Sequence, residues 1–66
     1  MRLTVNGAPR DVAGEVSLAG LVAELTAARR GVAVAVNGEV VPRSSWPDRS
    51  LSDGDRVEVL TAAQGG

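Results

Sequence analysis

The chain has no cysteine and no histidine. Disulfide frameworks, thiol redox chemistry and Cys/His zinc sites are thereby excluded. Lysine is missing too, since all seven basic residues are arginines. No lysine side chain is there to form a Schiff base, and none can serve as an imidazole base or a thiolate nucleophile. Trp46 is the lone aromatic residue, so bases have no stacking platform. The arginines are scattered among eight acids for a net charge of −1. No basic stripe can follow a phosphate backbone, and nucleic-acid binding is not expected. The longest apolar run, Val32 to Val36, is far shorter than the roughly 20 residues needed to span a bilayer. Met1 to Gly7 carries no stretch resembling a signal peptide. The expectation is a cytoplasmic protein that does not engage a membrane.

What is present is aliphatic. With 44% hydrophobic and 23% charged residues, the composition is that of a globular chain. Sixty-six residues allow a single domain, which buries only about 60% of the surface its unfolded chain exposes. Two Asn-Gly pairs, Asn6-Gly7 and Asn37-Gly38, mark type I′ hairpin turns, where both central residues need positive φ. The first follows Met1, Leu3 and Val5, alternating at strand period, and precedes an edge strand over Pro9–Val12. The second joins Val32–Val36, apolar on both faces as an interior strand should be, to Glu39-Val40-Val41. Between them Leu18, Leu21, Val22 and Leu25 recur at helical spacing. Ser17 is placed as N-cap, with Val16 and Leu21 as a hydrophobic staple. Arg29 and Arg30 suit the helix C-terminus, and Gly31 suits a left-handed stop. Gly20 costs the helix about 1 kcal/mol relative to Ala, which a tight contact with the sheet would explain.

Pro42 to Asp53 reads as a crossing loop anchored by Trp46 and Leu51, with Asp53-Gly54 as a turn. Arg56 to Val59 alternates as a final strand that runs on to Gln64-Gly65-Gly66. Hairpin, helix, hairpin, loop and strand pack most economically as an α+β, β-grasp (ubiquitin-like) domain, a mixed sheet of four to five strands on one helix. The expected division is residues 1–61 as the domain and 62–66 as a flexible tail.

Few groups can carry chemistry. Asp53 and Asp55 flank Gly54, but acids beside a glycine more often shape a turn. Trp46 is expected to plug the core beneath the long loop in preference to anchoring a partner. The final strand points Val57 and Val59 inward, which leaves Leu60 outward beside Ala33 and Ala35. That group is a candidate docking surface. The last residues stand apart, because bare Gly-Gly backbone fits a narrow channel that side chains could not enter. The five residues from Ala62 to Gly66 reach at most about 16–18 Å from the domain.

Val36-Asn37-Gly38, Val41-Pro42-Arg43, Trp46, the run Leu51-Ser52-Asp53-Gly54-Asp55-Arg56-Val57-Glu58 and the closing Gln-Gly-Gly together resemble the sulfur-carrier family of thiamine biosynthesis. The resemblance covers essentially the whole chain. Gly-Gly alone is shared with ubiquitin-like modifiers and with the small subunit of molybdopterin synthase. The short length, Val-Pro-Arg, Trp46 and Gln64 favour the thiamine branch. The resemblance implies that a ubiquitin-activating-type enzyme adenylates the Gly66 carboxylate with ATP. A persulfide donor would then leave a thiocarboxylate that gives its sulfur to thiazole synthase. Gly65, Gln64 and Ala63 would enter the partners' active sites, and the chain would have no catalytic residue, bound cofactor or metal of its own. A sulfur-carrier small subunit for molybdopterin synthesis, a β-grasp interaction module without terminal chemistry and a covalent protein modifier remain open alternatives.

Overall fold

Asn6 and Asn37 take positive φ values of 51° and 52°, followed by Gly7 at 83° and Gly38 at 84°. Both are therefore the type I′ turns that the Asn-Gly pairs require. The computed structural model describes residues 1–28 and 30–62. The first turn joins β1 (Arg2–Val5) to β2 (Ala8–Asp11), and the second joins β3 (Val32–Val36) to β4 (Glu39–Val40). With β5 (Arg56–Thr61) they form one mixed sheet in the order β2-β1-β5-β3-β4. The last strand thus lies in the middle, parallel to β1 and antiparallel to β3.

Both turn asparagines do more than turn the chain. Asn6 Oδ1 accepts the Val59 amide at 2.8 Å, and its Nδ2 donates to the Val59 carbonyl at 3.2 Å. Its side chain thereby pairs with β5 in place of a β1 residue beyond Val5. From the other flank Asn37 Oδ1 accepts the Arg56 amide at 2.9 Å, while the Asn37 amide donates to the Arg56 carbonyl at 2.7 Å. The two hairpin tips clamp the central strand from both sides.

One face of the sheet is covered by α1 (Leu18–Leu25). Ser17 caps it as expected, its Oγ accepting the Gly20 amide at 3.1 Å. Leu18, Leu21 and Val22 are buried against Leu3, Val34, Val36 and Val57. Leu25 is only partly buried. A 3₁₀ helix over Arg43–Asp48 occupies the crossing loop, with Trp46 buried beside Leu51. Trp46 is the expected plug, and its Nε1 donates to the Val41 carbonyl at 2.9 Å, so the polar edge of the ring is satisfied. The Arg43 guanidinium lies 5.2 Å from the ring centroid. The loop is stitched to the helix start, because the Leu18 amide donates to Arg49 and the Leu51 amide to Val16.

Four expectations need correction. The helix ends at Leu25, and Thr26 is already extended at φ −153° and ψ 146°. Threonine is β-branched, and here its Oγ1 accepts the Ala28 amide at 3.0 Å, a local alternative to the helical bond. Ala27 and Ala28 are exposed, so no burial supports another turn. Arg30 therefore lies well beyond the helix and Arg29 outside the described residues, and neither is shown to serve its dipole. Gly31 is left-handed at 73°, but it leads into β3 and does not stop α1. At Gly20 a Cβ would meet Val16 Cγ2 at 3.1 Å and Ser17 Oγ at 3.5 Å, so the tight contact is with the helix cap and staple, not the sheet. The second strand begins at Ala8, one residue earlier than expected, and Val12 exchanges two hydrogen bonds with Met1 beyond its end.

Candidate functional site

The face of the sheet opposite the helix carries the residues that point away from the core. Strand alternation places Arg2 and Thr4 of β1, then Arg56, Glu58 and Leu60 of β5, on this side. In register, Leu60 lies opposite Ala33, Glu58 opposite Ala35, and Ala35 opposite Val40. Cross-strand partners share a face, so Leu60, Ala33, Ala35 and Val40 form one apolar strip across three strands. Leu60 is 70% exposed and Val40 74%. They are the exposed large hydrophobic residues among those described, and both lie in the same shallow depression with Ala33, Ala35 and Glu58.

The structure thus brings Leu60, Ala33 and Ala35 together as expected, and it adds Val40. Two residues of β4 are too few to display an alternation. The signal lay in the turn, because a two-residue hairpin at Asn37-Gly38 fixes Val36 opposite Glu39 and Ala35 opposite Val40. Ala63, Gln64, Gly65 and Gly66 lie outside the described residues. Ala62 donates its amide to the Gly31 carbonyl at 2.6 Å, so the β3–β5 ladder continues one bond past Thr61.

The other half of this face is polar. Arg2 Nε donates to Asp11 Oδ1 at 2.9 Å in an exposed ion pair. The hydrogen bond and charge of Arg2 hold the Asp11 carboxyl below its usual range. Being exposed, such a pair contributes little stability. Asp53 and Asp55 shape the turn, as acids beside a glycine commonly do. Asp53 Oδ1 accepts the Arg2 amide at 2.6 Å, and Asp55 Oδ2 accepts the Ser52 amide at 2.8 Å. Among the described residues no three His, Cys, Asp or Glu side chains are grouped to hold a metal ion, and no helix is long and apolar enough to cross a membrane.

The bond from Ser52 and a second from Asn37 Nδ2 at 3.0 Å lower the Asp55 pKa from its ordinary 3.8. A carboxyl with a depressed folded pKa stabilises the fold above its unfolded pKa, and the contribution fades as pH falls through the folded value. Below about pH 4 the melting temperature is therefore expected to fall more steeply in the parent than in Asp55→Asn. Thermal melts of both proteins across the acid range test this, and parallel profiles would remove Asp55 from the acid response.

The model of the ThiS family matches residues 3–66. The chain belongs to the ThiS family. It is 42% identical over 62 residues to the sulfur carrier protein ThiS of Thermus thermophilus, covering 94% of this chain and 95% of that protein. It is 36% identical over 66 residues to a thiazole synthase of Paramagnetospirillum magneticum, where all of this chain corresponds to only 20% of the relative's length. The crystal structure of the thiamine biosynthesis protein ThiS from Geobacter metallireducens superposes with a TM-score of 0.82 at 39% identity, covering the whole of both chains. A solution structure of a thiamine biosynthesis protein from the same organism gives 0.84, again at 39% identity, over all of this chain and 88% of that one. The five-stranded mixed sheet on one helix is thus the β-grasp fold of the ThiS family.

Proposed function

We propose that this chain is a sulfur carrier of thiamine biosynthesis, a co-substrate with no catalytic group of its own. The observation that carries the proposal is the course of β5. It presents Leu60 at one end of the exposed apolar strip, in the strand that precedes the Gly-Gly end in the chain. The six residues that follow Leu60 allow Gly66 a reach of at most about 20–22 Å from that strip. A partner that grips the strip thereby receives the terminal carboxylate within its own active site. The matched family members named as sulfur carriers, and the relative named as a thiazole synthase, support the same reading.

A carboxylate oxygen of Gly66 attacks the α-phosphorus of ATP on an adenylating enzyme of the ubiquitin-activating type, and pyrophosphate leaves. The acyl carbon becomes electrophilic, with AMP as leaving group. The terminal sulfur of a persulfide then displaces AMP, and a second thiol cleaves the resulting acyl disulfide, leaving the thiocarboxylate and a disulfide. The ionised thiocarboxylate is a soft nucleophile like a thiolate. It delivers sulfur to thiazole synthase for the thiazole ring. ATP belongs to the partner.

Intact-mass measurement of the protein, made in a host with the complete pathway, tests the reading. One oxygen-to-sulfur exchange at the C-terminal residue is expected. Adducts to other proteins would mark a modifier, and an unaltered mass would mark an inert interaction module.

The strip makes a separate prediction. Leu60→Asp should raise the KM for the carrier in adenylation by about tenfold or more, the loss of one interface anchor worth over about 1 kcal/mol. Because the side chain is exposed, the melting temperature should stay within a few degrees of the parent's. An unchanged KM would exclude the strip as the docking surface.

A further inference from the structure

Gly31 is the residue against which the end of β5 rests. The last residue pair of the β3–β5 ladder is Val32 with Thr61, and the Ala62 amide adds one more bond, to the Gly31 carbonyl at 2.6 Å. Gly31 has φ of 73°, a left-handed conformation that residues bearing a Cβ rarely adopt. The space beside it is also taken. A Cβ on Gly31 would stand 3.0 Å from the Ala62 Cβ and 3.7 Å from the Ala62 nitrogen. Ordinary cross-strand Cβ atoms keep about 4.5–5.5 Å apart, so a side chain here would have to displace Ala62. The two features are independent of each other, and neither is required by the core, since Gly31 and Ala62 are both exposed.

We propose that Gly31 is a positioning residue for the terminal chemistry: its bare, left-handed backbone seats Ala62 and so sets where the chain leaves the domain on its way to Gly66. The proposal rests on the carrier reading above. Its logic is geometric. A partner docked on the Leu60 strip holds the domain as a rigid body, and the tail must then start from the right point to bring its carboxylate in line with the α-phosphate. Four residues, 63–66, lead from Ala62 to the reacting carboxylate, a span of at most about 13–14 Å, so the position of Ala62 sets where that reach begins. Misplacement by about 1 Å can cost on the order of 100-fold in rate. The docking strip itself is untouched, so the defect should fall on turnover and not on binding.

The test is ATP–pyrophosphate exchange with the cognate adenylating enzyme, using the parent, Gly31→Ala, Ala62→Pro and the double variant Gly31→Ala/Ala62→Gly. Ala62→Pro deletes the amide that bonds to Gly31 while leaving Gly31 in place. Gly31→Ala and Ala62→Pro should each lower kcat about 10- to 100-fold with KM for the carrier within about twofold of the parent's. The double variant removes the Cβ that the new alanine would strike, and it should recover most of kcat although the strain at residue 31 persists. Amide hydrogen exchange gives a readout without the enzyme, since the Ala62 amide should be protected in the parent and lose protection in Gly31→Ala. A parent that supports no exchange would reject the carrier reading. With an active parent, an unchanged kcat in Gly31→Ala, a change confined to KM, or no recovery in the double variant would overturn the role of Gly31.

Discussion

One residue added after Gly66 should abolish ATP–pyrophosphate exchange by the adenylating enzyme. The extension moves the terminal carboxylate by about 3.5 Å and puts an amide where the attacking oxygen must stand. An amide carbonyl is a far poorer nucleophile than a carboxylate, and in-line geometry at phosphorus is lost as well. A fall of several orders of magnitude is expected. Gly65→Val should do nearly as much damage by another route, because a β-branched side chain cannot follow bare backbone into a narrow channel. Neither change touches Leu3, Leu18, Leu21, Val34 or Val57 in the core. Both variants should therefore melt with the parent and bind the enzyme through an intact Leu60 strip. Normal exchange by the extended protein would show that the terminus is not the reacting group.

The largest effect on stability is expected from Leu21→Ala. Leu21 is wholly buried on the sheet-facing side of α1, and truncating a leucine in such a place costs about 2–5 kcal/mol. A domain this small has little more than about 5 kcal/mol to lose. The melting temperature should drop by more than about 10 °C, at 4–8 °C per kcal/mol for a domain of this size. Leu25→Ala, equally severe if the helical spacing is read alone, should cost clearly less, because Leu25 is in the last turn and only partly buried. Denaturant melts of both variants check the ranking. Equal losses would mean that Leu25 is held more firmly than its exposure indicates.

Much of this molecule is legible in the residues because it is set locally. Asn-Gly at 6–7 and 37–38 accepts positive φ more readily than other pairs, and both turns have it. Ser17 supplies an oxygen to the first helical turn whatever lies beyond it. Strand alternation alone sends Leu60 outward and Val57 and Val59 inward. Where local preference and tertiary support part company, the sequence misleads. Ala27 and Ala28 favour helix, yet the helix stops at Leu25, since their exposed side chains gain nothing by continuing and Thr26 offers the Ala28 amide another partner. The correct helix end depended on which residues find something to cover.

Other features exist only because distant segments meet. Asn6 bonds Val59 across 53 residues, and no pattern around position 6 announces it. Leu60 meets Ala33, and Glu58 meets Ala35, only once β5 has paired with β3. Gly31 is suggested by its sequence as a helix stop, but its carbonyl receives Ala62 and its missing Cβ leaves room for that residue. The sequence by itself determined the turns, the helix cap, the inward and outward residues of β1 and β5, and the Gln64-Gly65-Gly66 end that carries the proposed chemistry. Only the tertiary structure decided what β5 faces on β1 and β3, because an alternation states which side a residue takes but not its neighbour on a strand that no tight turn connects. That neighbour is set by register, and register is established only when β5 is inserted between β1 and β3.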